Sequence, residues 1–132
     1  MQATIKTNKL KEVVDVTDEV ETQVKQSGVQ NGLCNVFVLH TTAAISTGDL
    51  DPGTDLDYLD AFQAIVPKLQ YRHPHDPSHM PDHIVSTLIG PEATVPIENS
   101  ELVLGTWQRI LLFEFDGPRE RILHITITAA DS

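Results

Sequence analysis

Six histidines punctuate this chain, and they are unevenly placed. His40 closes the apolar run Val36-Phe37-Val38-Leu39. His73, His75, His79 and His83 crowd the short stretch from Tyr71 to His83, which also holds Pro74, Pro77 and Pro81. Neutral imidazole binds metals and carries protons near pH 7, and irregular backbone is where binding residues concentrate. A site built from His40, His73 and His83 would offer three nitrogen donors. It would leave a coordination position open for water or substrate, as catalytic zinc-type sites do. Surface loops also collect histidines, and His75, His79 and His124 carry no comparable pattern. His79 and His83 are four apart, but Pro81 between them argues against one shared helical face.

Carboxylates and hydroxyls surround these windows. Asp49 follows the His40 segment closely and is the aspartate kept as a functional candidate. Asp49 and Asp82 are candidates to orient imidazoles, because a ligand histidine commonly gives its other N–H to a carboxylate. The run Asp49, Asp51, Asp55, Asp57, Asp60 is not a calcium loop. Counting from Asp49, Thr54 stands where such a loop needs glycine and Asp60 where it needs glutamate. Thr41 and Thr42 follow a strand, where hydroxyls bind phosphate or carboxylate oxygens or simply end the strand. Trp107 is expected in the core by default, with its indole N–H requiring a partner. Arg119 and Arg121 follow Asp116-Gly117-Pro118. They are placed either to clamp an anion or to form ion pairs. The chain has no glycine-rich phosphate loop and no Gly-x-Ser-x-Gly elbow.

Composition narrows the classes. The net charge of −10, from 19 acidic and 9 basic residues, lacks the basic stripe that nucleic acids require and does not suit anionic membranes. No stretch approaches the roughly 20 apolar residues of a membrane span. The start, Met1-Gln2-Ala3-Thr4-Ile5-Lys6, lacks the pattern of a secretory leader. The single Cys34 lies in an apolar run, as a buried thiol does. The expectation is a cytoplasmic protein of one domain over residues 1–132.

The elements that must carry these residues follow from periodicity and punctuation. Strands are predicted at 2–6, 9–16 and 33–39, the last delivering His40. Thr17 reads as the N-cap of a helix over 18–27 that stops at Gly28, with Asp18, Glu19 and Glu21 in its first turn. Residues 46–54 read as loop. Thr54 with Asp57 resembles a capping box for a helix over 55–66, whose apolar face comprises Leu56, Leu59, Ala61, Phe62, Ile65 and Val66. Pro81 opens a further helix that carries His83 in its first turn and ends by Gly90. Strands follow at 93–97, 101–104, 107–115 and 121–128. Within 107–115, Gln108, Ile110, Leu112 and Glu114 face one way, and Arg109, Leu111, Phe113 and Phe115 face the other. Successive strands after two or three helices predict an α+β fold on mostly antiparallel sheet.

Five motifs occur in order: His40-Thr41-Thr42-Ala43, Tyr71-Arg72-His73, Met80-Pro81-Asp82-His83-Ile84, Leu104-Gly105-Thr106-Trp107-Gln108 and Phe115-Asp116-Gly117-Pro118-Arg119. Together they span almost the whole chain, which resembles the YjbQ family, whose members are often labelled secondary thiamine-phosphate synthases. The resemblance implies an α+β sandwich-like fold and a homotrimer. It implies that His40, His73 and His83 gather around a divalent metal (Zn or Mg) or an anion, at a subunit boundary. Catalytic roles would fall to His40, Asp49 and His83. Thr41, Thr42, Thr106, Trp107 and Arg119 would bind a small phosphorylated substrate. The implied reaction joins a hydroxymethylpyrimidine pyrophosphate to a thiazole phosphate and releases pyrophosphate. Imidazole donors suit Zn²⁺ better than Mg²⁺, which prefers oxygen. A metal-dependent phosphohydrolase and a non-catalytic module for a small anion therefore stand as alternatives. The chain departs from the family at Gly48-Asp49, where many relatives carry Asn-Glu.

Overall fold

The computed structural model describes residues 1–130. Among them are eight strands and three α-helices. They run β1 (Gln2–Lys6), β2 (Glu12–Asp15), α1 (Thr17–Ser27), β3 (Gly32–Val38), β4 (Ala43–Gly48), α2 (Thr54–Ile65), α3 (Met80–Ile89), β5 (Glu92–Glu98), β6 (Glu101–Leu102), β7 (Arg109–Glu114) and β8 (Glu120–Ala129). A single 3₁₀ turn at Pro77–His79 leads into α3. The fold is α+β, with every strand pair antiparallel.

Two sheets form. The larger has the order β1-β8-β3-β5-β6 and the smaller β2-β7-β4. The larger sheet buries one face only. Cys34, Val36 and Val38 of β3, Val95 and Ile97 of β5, and Leu123 and Ile125 of β8 point inward, whereas Phe37 and His124 point to solvent. Such alternation is how an antiparallel sheet meets water on one side. The smaller sheet is covered on both faces. Ile110 and Leu112 join the core against the larger sheet and α1. Leu111, Phe113 and Phe115 pack instead with Tyr58, Leu59 and Phe62 of α2 and with Val85 of α3. This double burial is why β7 reads as the uninterrupted apolar run Ile110-Leu111-Leu112-Phe113, and from Ile110 onward the two predicted faces are the ones observed, whereas Gln108 lies exposed outside the strand.

Other expectations need correction. Residues 46–54 are not all loop, because Ser46, Thr47 and Gly48 complete β4 opposite Leu111, Ile110 and Arg109. Short polar residues carried no strand signal, and the pairing partner decided the matter. Thr17 does not cap α1. Its backbone N–H donates to Asp15 Oδ1, and its hydroxyl accepts from the Ile110 N–H at 2.9 Å. Thr54 forms no capping box either, since Gly53 occupies the N-cap with φ 89° and no side chain caps the helix. The second, sixth and seventh strands are shorter than predicted, the seventh beginning only at Arg109. No helix among the described residues is long and apolar enough to cross a membrane.

Candidate functional site

The His40 corner is built where β3 ends. β3 pairs with β8 as far as Val38 opposite Leu123. The Leu39 N–H then donates to the Ile122 carbonyl at 3.1 Å. On the same rung the Ile122 N–H donates to His40 Nε2 at 3.0 Å, so an imidazole replaces a backbone carbonyl. Beneath it lies a sealed ion pair. Arg121 and Glu114 are 1% and 0% exposed. Arg121 Nε donates to both Glu114 oxygens at 2.9 and 3.0 Å. Its Nη2 donates to Glu114 Oε2, and to the Thr42 carbonyl and hydroxyl at 3.0 and 2.8 Å. Thr7 Oγ1 donates to Glu114 Oε1 at 2.6 Å. Burial pushes the Glu114 carboxyl upward, but these hydrogen bonds and the Asp116 N–H outweigh it and leave it below its ordinary range. His40 is held below the usual histidine value, first by burial, then by Arg121 and Arg119, with Glu114 opposing them.

The histidine loop places two rings together. His73 and His83 stack with centroids 4.8 Å apart. His73 Nδ1 lies 3.2 Å from the Asp76 carbonyl, which can only accept. Nδ1 therefore carries the ring proton and Nε2 keeps its lone pair. His79 lies apart from this pair, between Asp76 and Asp116. With Asp82 and Asp116 it forms the one group of three candidate ligands within 4.8 Å among the described residues. Those carboxylates are already neutralised: Lys11 Nζ donates to Asp82 Oδ1 at 2.7 Å and Arg119 Nη2 to Asp116 Oδ2 at 2.8 Å. A cation there would displace existing ion pairs.

The predicted set His40, His73 and His83 is thus not assembled as a three-nitrogen cluster within one chain. Of the three, only His73 and His83 are brought together, as stacked rings, with His73 Nδ1 turned to a backbone carbonyl. His40 does not fit a metal, because its Nε2 is committed to Ile122. The predicted orienting carboxylates are engaged elsewhere. Asp49 accepts from the Asp51 N–H within its own loop, and Asp82 holds Lys11. Thr42 is buried and turned inward, its hydroxyl accepting from Arg121, whereas Thr41 is exposed. Trp107 is not a core residue: it is 72% exposed. It stands with Thr106 on a turn pinned by Gln108, whose side chain accepts from the Gly105 N–H and donates to Thr47 Oγ1. Arg119 is half exposed and folds back on Asp116.

Sequence reasoning missed a cleft of about 390 Å³ between α2 and the α3 entry. Phe62, Val66, Val85 and Phe115 form its apolar wall, and Lys11, His79 and Asp116 stand at its margin. The T-shaped contact of Phe62 with Phe115 places aromatic edges along it. No periodicity announces such a cleft, because its wall combines residues far apart in sequence. Cys34 takes no part: burial pushes its thiol up to about 11, so it stays protonated.

Comparison with known proteins agrees with this architecture. The family model described as UPF0047 protein YjbQ-like matches residues 1–130. A UPF0047 protein of Archaeoglobus fulgidus is 41% identical over 122 residues, covering 92% of this chain and 94% of that one. The UPF0047 protein YugU of Bacillus subtilis is 37% identical over 122 residues, covering 92% of each chain. A crystal structure from Sulfolobus solfataricus P2, described as a YbjQ-like protein of unknown function, superposes with TM-score 0.92 at 36% identity, covering 98% of this chain and 96% of that one. With sequence and fold matching from end to end, the chain belongs to the YjbQ/UPF0047 family.

Proposed function

We propose that this protein is a thiamine-phosphate synthase-like transferase acting on small phosphorylated heteroaromatic metabolites. It would join a hydroxymethylpyrimidine pyrophosphate to a thiazole phosphate. The observation that carries this reading is an apolar cleft opening beside the turn that bears Asp116 and Arg119. Asp116 lines the cleft and also holds Arg119. Phe62 and Phe115 offer faces and edges to a flat ring, while Arg119 and the exposed Thr41 suit phosphate oxygens. In the transfer, the bond from the pyrimidine methylene carbon to the pyrophosphate oxygen breaks, and the electron pair leaves with the oxygen. A bond to the thiazole nitrogen forms. Stabilising the charge that develops on the leaving group is the main task, and fixed N–H donors perform it without reorganising. A divalent ion held by His73 and His83 would supply further charge neutralisation.

The test is direct. Protein given both precursors and Mg²⁺ is expected to form thiamine phosphate and inorganic pyrophosphate. Product formation no greater than that of His83→Ala would overturn the proposal.

One observation favours a second reading. The paired imidazoles of His73 and His83 suit Zn²⁺ better than Mg²⁺, which points to a metal-dependent phosphohydrolase. That enzyme would release inorganic phosphate from phosphate esters with Zn²⁺ and stop with a chelator. No release with Zn²⁺ would eliminate it.

A further inference from the structure

Three side chains from separate parts of the fold meet on one wall of the cleft. His79 closes the 3₁₀ turn, Asp82 lies in the first turn of α3, and Asp116 lies on the turn between β7 and β8. All three line the cleft, and one ligand atom from each lies within 4.8 Å of the other two. The backbone sets this meeting. His79 and Asp82 are three apart across the entry to α3, a spacing that makes neighbours on helical backbone. Asp116 is fixed from the opposite side, its N–H donating to Glu114 Oε2 of the buried ion pair at 3.2 Å.

The His79 ring is oriented as a ligand imidazole is. Its Nε2 stands 3.1 Å from Asp76 Oδ2. Asp76 is itself held, because its Oδ1 accepts from the Ser78 N–H at 3.0 Å and from the Ser78 hydroxyl. A carboxylate oxygen can only accept, so the one proton of a neutral ring belongs on Nε2. A carboxylate in that place commonly supports a metal-bound histidine. The Nδ1 lone pair is then turned toward Asp116 Oδ2 at 3.7 Å, beyond hydrogen-bond reach. Two acceptors face one another across that gap, and a cation between them removes the repulsion. Zinc takes imidazole nitrogen and carboxylate oxygen at about 2.0–2.2 Å, so a small dication bridges the gap with little movement.

Lys11 and Arg119 compete for the same carboxylates, but from the solvent edge. Lys11 takes Asp82 Oδ1 and Arg119 takes Asp116 Oδ2, and both cations are half exposed. Ion pairs of that kind contribute little and exchange readily. Asp76, Asp82 and Asp116 also outnumber these two cations, which leaves negative charge at the wall.

We propose that His79, Asp82 and Asp116 bind a divalent transition-metal ion, Zn²⁺ or Mn²⁺, on the wall of the cleft, with Asp76 orienting His79 and with Lys11 and Arg119 displaced. Three protein ligands leave a position open to the cleft for water or an anionic group. The site goes beyond the transferase reading and does not depend on it.

The probes are Zn²⁺, followed by calorimetry, and Mn²⁺, followed by paramagnetic broadening of histidine ring signals, each added to chelator-treated protein. Mn²⁺ is expected to broaden His79 before His73 and His83. Zn²⁺ should bind at least ten-fold more weakly to His79→Ala and to Asp116→Asn. Lys11→Met removes a competitor, so it should bind Zn²⁺ about two- to five-fold more tightly. Parent-like Zn²⁺ affinity in His79→Ala, weaker binding in Lys11→Met, or broadening that reaches His73 and His83 and spares His79 would each overturn the proposal. If His79→Ala does not fold, broadening in the parent protein decides. Metal held at His79 with no transfer between the two thiamine precursors would sink the transferase reading and leave this one standing. Transfer with His79 untouched by either metal would do the reverse.

Discussion

At the residue scale the chemistry turns on which atoms are already committed. His40, Thr42 and Asp82 carry functional side chains by type, yet each has a nitrogen or oxygen occupied by the fold: Ile122 takes His40 Nε2, Arg121 takes the Thr42 hydroxyl, and Lys11 takes Asp82. The same logic makes Arg121 more consequential than the half-exposed Arg119. Arg121→Ala would leave Glu114 as an uncompensated buried charge, a change that costs about 3–5 kcal/mol. Chemical denaturation should show that loss, and Arg119→Ala should show under about 1 kcal/mol. A stable Arg121→Ala protein would mean that Glu114 finds another donor.

At the element scale, the turn between β7 and β8 must admit the N-terminal segment. The Gly117 N–H donates to the Leu10 carbonyl at 2.9 Å. A methyl group at Gly117 would lie 2.3 Å from the Lys9 carbonyl oxygen and 2.9 Å from Thr7 Oγ1. This close approach explains the glycine of the Asp-Gly-Pro-Arg motif by packing alone. Gly117→Ala is expected to push the Thr7–Leu10 segment off Glu114 and lower the melting temperature by several degrees, a loss of roughly 1–3 kcal/mol. An unchanged melting curve would show that the segment yields freely. Element positions were largely legible. α1, α3, β5 and the two faces of β7 follow from periodicity, from Gly28 and from Pro81. β4 was hidden, because Ser46-Thr47-Gly48 lacks apolar alternation and is a strand only through its ladder with β7.

At the scale of the whole molecule two expectations follow. Glu114 and Asp15 both have folded-state values below their unfolded ones, despite the burial that opposes this. Their stabilisation is present above the unfolded carboxylate range and is lost as pH falls through the folded values. Melting temperature should therefore hold at neutral pH and fall below about pH 4.5, the ordinary value for a glutamate. A stability maximum at pH 3 would contradict this sign. The second expectation concerns assembly. α2 buries no residue fully within the chain, leaving Leu56 and Ile65 60% and 62% exposed, and Trp107 is also bare. We expect these surfaces to be covered in a homotrimer, with a light-scattering mass three times the 14.6 kDa chain. A monomer mass across working concentrations would rule that out.

By itself the sequence determined the family, the α+β class and the two-faced burial of β7, because apolar period and ordered motifs are local properties. It also singled out the histidine windows with which any functional account must deal. Only the tertiary structure decided what each histidine can do. Ring tautomers depend on what stands opposite: the Asp76 carbonyl leaves His73 an open Nε2, and the Ile122 N–H takes that atom from His40. No spacing rule carries that information, because a donor on β8 and a ring at the end of β3 meet only when the sheet closes.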